Sequence, residues 1–294
     1  MQLNIDKVEK LNSNIGFPAG KHIKLASVII YFFFSIIAIL YITPLIWIVM
    51  VSFKTNPEIF SNPFGFPAAL QFENYAYSWV NGHLGTALLN SLIVSFSTLI
   101  ISMIIGSMAA FAIARLRFKL NNGMLVYFMI GMMIPTHCLL IPLIIMLAKF
   151  KLGDTLIGII IPYATFALPL TIYIMTGFFK GMPHEMFESA CIDGCSLRKI
   201  FTSIAIPLCK TGLFVTGLMT FVNTWNELLL AMCFISDPAK KTLPVALTYF
   251  VGPYETDYVK MFSAIVIAVM PTILVYCMFS NQIVEGLTQG AVKG

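Results

Sequence analysis

Long intervals free of charge alternate with short polar connections along nearly the whole chain. Residues 25–53, 88–114, 120–148, 155–179 and 261–284 contain no Asp, Glu, Lys or Arg, and a sixth interval, 211–236, is interrupted only by Glu227. A charge at the centre of a bilayer costs roughly 2.5 to 3.5 kcal/mol, and ~20 apolar residues suffice to cross. The pattern therefore predicts an all-α integral membrane protein. Six transmembrane helices fill residues 25–284, after a polar segment 1–24 and before a tail 285–294. Pro44, Pro135, Pro142, Pro162, Pro169 and Pro271 fall inside these intervals. Each removes one backbone donor and favours a kink, which suits a pathway but also matches the ordinary frequency of proline in membrane helices.

Composition sharpens this picture. Of 294 residues 59% are hydrophobic and 11% charged, with a mean hydropathy of +0.88. A soluble domain carries about 25% charged residues, so a soluble reading is excluded. The first interval is far longer than the apolar region of a secretory signal and has no evident small-residue cleavage site, so it reads as a retained anchor.

The loop charges fall into two alternating sets. One holds twelve bases (Lys7, Lys10, Lys21, Lys24, Arg115, Arg117, Lys119, Lys180, Arg198, Lys199, Lys210, Lys293) against six acids (Asp6, Glu9, Glu185, Glu188, Asp193, Glu285). The other holds six bases (Lys54, Lys149, Lys151, Lys240, Lys241, Lys260) against six acids (Glu58, Glu73, Asp154, Asp237, Glu255, Asp257). The positive-inside rule places the first set, and with it both termini, in the cytoplasm. No basic stripe exists to follow a phosphate backbone, so nucleic acid is not an expected partner, whereas membrane lipid is.

Residues 180–210 are too polar to span and too patterned for a linker. Pro183 suits a first helical position, Glu185 and Glu188 sit where the helix dipole favours acids, and Gly194 is placed to end the helix in a left-handed conformation. Ser196 can cap a second helix, Leu197 to Ala205, which stops at Pro207. Met186, Phe187, Ala190 and Cys191 make an apolar face that needs a partner, either the chain's own membrane domain or another subunit.

Glu188-Ser189-Ala190, three residues, Gly194, nine residues, then Ile204-Ala205-Ile206-Pro207 resembles the EAA signature of permease subunits in binding-protein-dependent ABC importers. Ser189 stands for Ala and Ile206 for Leu. Further stretches are similar to carbohydrate importer permeases of the maltose-transporter type: Asn90-Ser91-Leu92, Ala112 to Phe118, Met133-Ile134-Pro135, Trp225-Asn226-Glu227 and the tail Gly286 to Gly294. The likeness covers nearly the whole chain from Leu25. It implies a heterodimer with a second permease, a cytoplasmic ATPase dimer, an extracytoplasmic solute-binding protein, a carbohydrate substrate and a bacterial-type inner membrane. On this resemblance Met186, Phe187, Glu188, Ser189, Ala190, Gly194, Ile204 and Pro207 form the element that docks on the ATPase.

No Gly-x4-Gly-Lys-Ser/Thr phosphate loop occurs, so ATP hydrolysis belongs to a partner chain and no cofactor is expected. Cys191, Cys195, Cys209 and His184 lack metal-site spacing, and no Gly-x-Ser-x-Gly elbow is present. His137, inside a span, is read as a satisfied interior histidine or a proton relay. Tyr75, Tyr77 and Trp79 fit an interfacial aromatic belt or a sugar-stacking surface. Asn223 and Glu227 share a helical face with Asn226 beside them, a polar stripe that lines a translocation pathway or braces helices. A self-sufficient secondary carrier is the competing function, with Glu227 its one acid for coupling.

Overall fold

The computed structural model describes residues 25–116, 118–252 and 256–291. The amino-terminal segment 1–24 and the last three residues of the tail lie outside them. The described residues are helical apart from turns and one isolated bridge between Val251 and Thr256. Contacts divide the chain into two units after Ile48. The first is most of helix α1 (Leu25–Ser52), whose apolar side chains are largely exposed, as suits a helix surrounded by lipid.

In the second unit the principal elements are α2 (Asn56–Ser61), α3 (Glu73–Asn81), α4 (Leu84–Arg115), α5 (Asn121–Met133), α6 (Leu140–Lys149), α7 (Leu156–Lys180), α8 (His184–Ile192), α9 (Leu197–Leu208), α10 (Lys210–Trp225), α11 (Leu229–Phe234), α12 (Leu243–Leu247) and α13 (Tyr258–Ala291). Four helices, α1, α4, α7 and α13, are long and apolar enough to cross a membrane unbroken. Two further pairs pass only when joined across a bend: α5 with the segment Thr136–Lys149, at 84°, and α9 with α10, at 78°.

Helices α4 and α7 form the spine. They run parallel, because Val94 shares a core with Ile159 and Ile160 at one end while Ala110 and Phe111 share another with Met175 and Phe179. Small residues allow the approach. A β-carbon at Gly106 would stand 2.5 Å from Thr171 Cγ2, and Ser102, Ser107 and Ala110 are buried on the same helix. Without a hydrophobic force between helices in lipid, such close backbone packing is what holds them together. Asn90 and Ser91 stitch α4 to a distant loop. The Asn90 amide donates to Ala239 O (2.9 Å) and Lys241 O (3.0 Å), and Ser91 Oγ accepts from Leu243 N (2.7 Å). The loop after α1 is fixed by the fully buried Lys54, whose ammonium donates to Asn62 O at 2.6 Å, and by Asn74, whose amide donates to Ser52 O and Lys54 O.

Several local expectations differ from the structure, among them interval 120–148, whose helix breaks after Met133. Interval 211–236 is not one helix, since α10 ends at Trp225 and α11 starts at Leu229. The helix expected to stop at Pro207 ends one residue beyond it, at Leu208, before the bend into α10. A π-turn over Phe201–Ala205, in which the Ile206 amide donates to Phe201 O, widens the backbone just before the proline and removes the clash its ring would make. Pro183 is the residue before α8, not its first, with an extended ψ of 137°. The tail is also helical as far as Ala291, continuing α13.

Candidate functional site

The segment between α7 and α10 is built around a closed turn. Helix α8 ends in a Schellman arrangement: Cys195 N donates to Ala190 O at 2.9 Å and Gly194 N to Cys191 O at 3.0 Å. Gly194 sits at φ +75°, the only positive-φ glycine among the described residues, so the turn uses the conformation that glycine adopts without strain. Ser196 then accepts from Lys199 N and starts α9.

Helix α8 has two faces. Phe187 and Ala190 turn inward onto a core of Ala110, Phe111, Ile172, Met175 and Phe179, which Ile204 also packs against. The ring centroids of Phe111 and Phe187 are 6.2 Å apart, and those of Phe111 and Phe201 5.2 Å. Met186, Glu188, Ser189 and Cys191 are exposed, Ile192 is 85% exposed, and Gly194 and Pro207 also lie at the surface. The apolar face expected from the sequence is thus divided, Phe187 and Ala190 packing on the chain itself and Met186 and Cys191 outside. Met186 borders a groove of about 850 Å³ shared with Leu125, Tyr173, Met182 and Leu208.

Arg115, the last residue of α4, reaches the knee where α7 passes into α8. Its guanidinium donates to Phe179 O and to Met182 O (2.6 Å), lies 3.3 Å from His184 Nδ1, and covers the Phe187 ring at 4.2 Å. No local sequence pattern signals these partners, all more than sixty positions away.

A second polar site lies where two helices break. Helix α5 stops at Met133, Pro135 follows, and a short 3₁₀ turn, Thr136–Leu139, leads into α6. Across from it the chain is irregular between Trp225 and Leu229. Both breaks line one cavity of about 590 Å³, with Thr136, His137, Tyr163, Phe166, Asn223, Asn226 and Glu227 on its walls. Irregular backbone at membrane depth is tolerated where it borders such a cavity. The helix ends before Glu227, so Asn223, Asn226 and Glu227 do not form a stripe on one helix; the break itself gathers them. His137 is exposed at the cavity, not enclosed in the interior.

The Glu227 carboxylate is engaged through both oxygens. One accepts from Leu230 N at 2.8 Å; the other accepts from Ala231 N at 3.1 Å and from the Tyr163 hydroxyl. It thereby satisfies orphan amides at the start of α11 and places negative charge at the positive end of that helix. Tyr163 is buried on α7, so Glu227 ties α11 to the spine. Tyr163 has no counterpart in the sequence reading, since a lone buried tyrosine on an apolar helix carries no signal of its own.

Residues 102–287 match the family model described as binding-protein-dependent transport system inner membrane component. The chain belongs to this family. The matched stretch contains both the closed turn at Gly194 and the break at Glu227. The permease is 35% identical over 259 residues to the diacetylchitobiose uptake system permease protein NgcG of Streptomyces coelicolor, covering 87% of this chain and 85% of that one. It is 33% identical over 253 residues to the trehalose transport system permease protein SugB of Mycobacterium tuberculosis (85% and 92% covered). It is 32% identical over 264 residues to the trehalose/maltose transport system permease protein MalG of Thermococcus litoralis (88% and 94% covered). In fold it is similar to a chain of a bacterial ABC transporter involved in the import of the acidic polysaccharide alginate, with a TM-score of 0.74, 19% identity, and coverage of 96% and 98%. The permease is thus an inner-membrane transporter subunit, not an enzyme, and its family works with a separate ATPase and a binding protein.

Proposed function

We propose that this permease forms half of the translocation pathway for a di- or oligosaccharide, pairing with a second, different permease and taking its driving force through α8. The observation that carries the reading is the two-faced geometry of α8 at the EAA-like signature. Its inner face is fixed to the spine by Phe187, Ala190 and Arg115, while Glu188, Ser189 and Ile192 stay free for an ATPase. A rigid element joined directly to membrane helices converts closure of an ATPase pair into helix motion.

The carbohydrate assignment is supported by the names of the relatives and by the cavity at the two breaks. Amides of Asn223 and Asn226, hydroxyls of Thr136, Thr220 and Thr224, and the ring of Phe166 offer donors, acceptors and an apolar plate to a polyhydroxylated ligand. Glu227, held by three hydrogen bonds, serves as the brace that shapes this wall. We read α1, α4, α5 with α6, α7, α10 with α11, and α13 as six spans. The excess of bases in the amino-terminal segment, at Arg115, Arg117 and Lys119, and in the 180–210 loop supports cytoplasmic termini.

The test is uptake of labelled disaccharides by proteoliposomes containing the permease, its partner permease, the ATPase and the binding protein. Uptake should require ATP and all four components. Accumulation by the permease alone, driven by an ion gradient, would replace this reading with a secondary carrier.

A further inference from the structure

The chain joins α8 to α7 through Gly181–Pro183 and to α10 through α9, but no short connection joins it to α4. The four groups that Arg115 touches lie between positions 179 and 187: the Phe179 carbonyl in the last turn of α7, the Met182 carbonyl in the knee, the His184 ring and the Phe187 ring on α8. A planar guanidinium that donates to two carbonyls while stacking on a ring fixes direction as well as distance. The neighbouring contacts of Phe111 with Phe179, Phe187 and Phe201 are apolar and fix no such direction. The Phe179 carbonyl also belongs to the negative end of α7, where a cation is favoured.

From this geometry we infer that Arg115 is a positioning residue for energy coupling: it locks the angle between α7 and α8 and transmits displacement of α8 to α4. The inference rests on α8 being the element that receives the ATPase. Arg115 is assigned no contact with nucleotide or with the transported solute. When α8 is pushed, the guanidinium makes α4 and α7 follow together. Without it, α8 rotates about the Gly181–Pro183 knee and the push is dissipated.

The test uses the complete reconstituted transporter with Arg115→Gln and Arg115→Lys, reading uptake per ATP hydrolysed. Spin labels at Ile192 and Met108, both exposed, report the distance between α8 and α4 in a cysteine-free background. Arg115→Gln is expected to lower uptake per ATP by about tenfold, the equivalent of losing a charge-assisted hydrogen bond, and to broaden the distance distribution. Arg115→Lys, which keeps the charge but not the planar group that covers Phe187 while reaching His184 through its second nitrogen, should recover only part of both. Wild-type uptake per ATP with an unchanged distribution would overturn the inference. Failure of both variants to assemble would overturn it too, by assigning Arg115 to folding. Glu188→Lys, made in parallel, separates the two readings. If it leaves coupling intact, the assignment of α8 itself fails; if it uncouples while both Arg115 variants behave as wild type, only the role of Arg115 fails.

Discussion

Replacing Gly194 with alanine isolates one physical term. A β-carbon at this position meets nothing within 4 Å, so no steric clash contributes. What remains is the backbone conformation at φ +75°, which costs an L-residue about 1 to 2 kcal/mol. The chain must either bear that cost or leave the left-handed region. Leaving it breaks the hydrogen bonds from Cys195 N to Ala190 O and from Gly194 N to Cys191 O that close α8. A penalty of ~1 kcal/mol lowers the population of the closed turn roughly fivefold relative to its open forms. Gly177 supplies the control, since it also has open space around it but lies inside α7 without a positive φ. Gly177→Ala should therefore be neutral or stabilising by up to ~1 kcal/mol. Gly194→Asn, which tolerates the left-handed region, should fall between wild type and Gly194→Ala. Amide hydrogen exchange at Cys195 reads the turn directly, and uptake per ATP reads its consequence; both should worsen in Gly194→Ala while membrane insertion holds. Indistinguishable exchange and uptake in Gly177→Ala and Gly194→Ala would refute the argument.

Removing the Glu227 carboxylate in Glu227→Ala leaves the Leu230 and Ala231 amides and the Tyr163 hydroxyl without their acceptor, and should lower stability in detergent by about 3 kcal/mol; Tyr163→Phe should cost less, and thermal unfolding of the purified subunit measures both. A cysteine placed at Ile192 in a cysteine-free chain should be labelled by an impermeant reagent only from the cytoplasmic side; labelling of intact cells would invert the topology. Burial alone would push the Asp257 carboxyl up, but hydrogen bonds from Lys260 and Asn56, with the Lys260 charge, outweigh it and hold the group below its ordinary value. Because the folded-state value is the lower one, this contribution is present above the ordinary carboxylate range and is lost as pH falls through it. Stability of the wild type and Asp257→Asn should therefore differ by a constant amount around neutral pH, and the difference should narrow only as the pH falls below the ordinary carboxylate range in acid titrations.

Local turn chemistry was readable from the sequence; chemistry made by distant residues was not. Gly194 and Ser196 act within a few positions of themselves, so residue type and spacing identify a helix end and a helix start. Pro207 likewise marks the end of α9 to within one residue, but the π-turn that admits it has no residue signature. The break after Trp225 was hidden for a related reason. No glycine or proline marks residues 226–228, and the irregular stretch is held by a carboxylate whose third partner lies on α7. Apolarity shows that a segment is membrane-embedded but not that its helix is continuous. The division of α8 into inner and outer faces likewise depends on Phe111 and Arg115 of α4, which only the folded chain brings near.

The tight seam between Gly106 and Thr171 has a mechanical consequence. Helix α7 has 25 residues, so it is ~37 Å long at 1.5 Å per residue. Bound side by side along much of that length, α4 and α7 resist independent bending and behave as one beam. A tilt of roughly 10° at the end carrying α8 then sweeps the opposite end through ~6 Å. That end carries Ile159, Ile160 and Tyr163, next to the cavity wall that Glu227 braces. Widening the seam with Gly106→Leu would make the beam two separate rods, and the same push would be spent in bending.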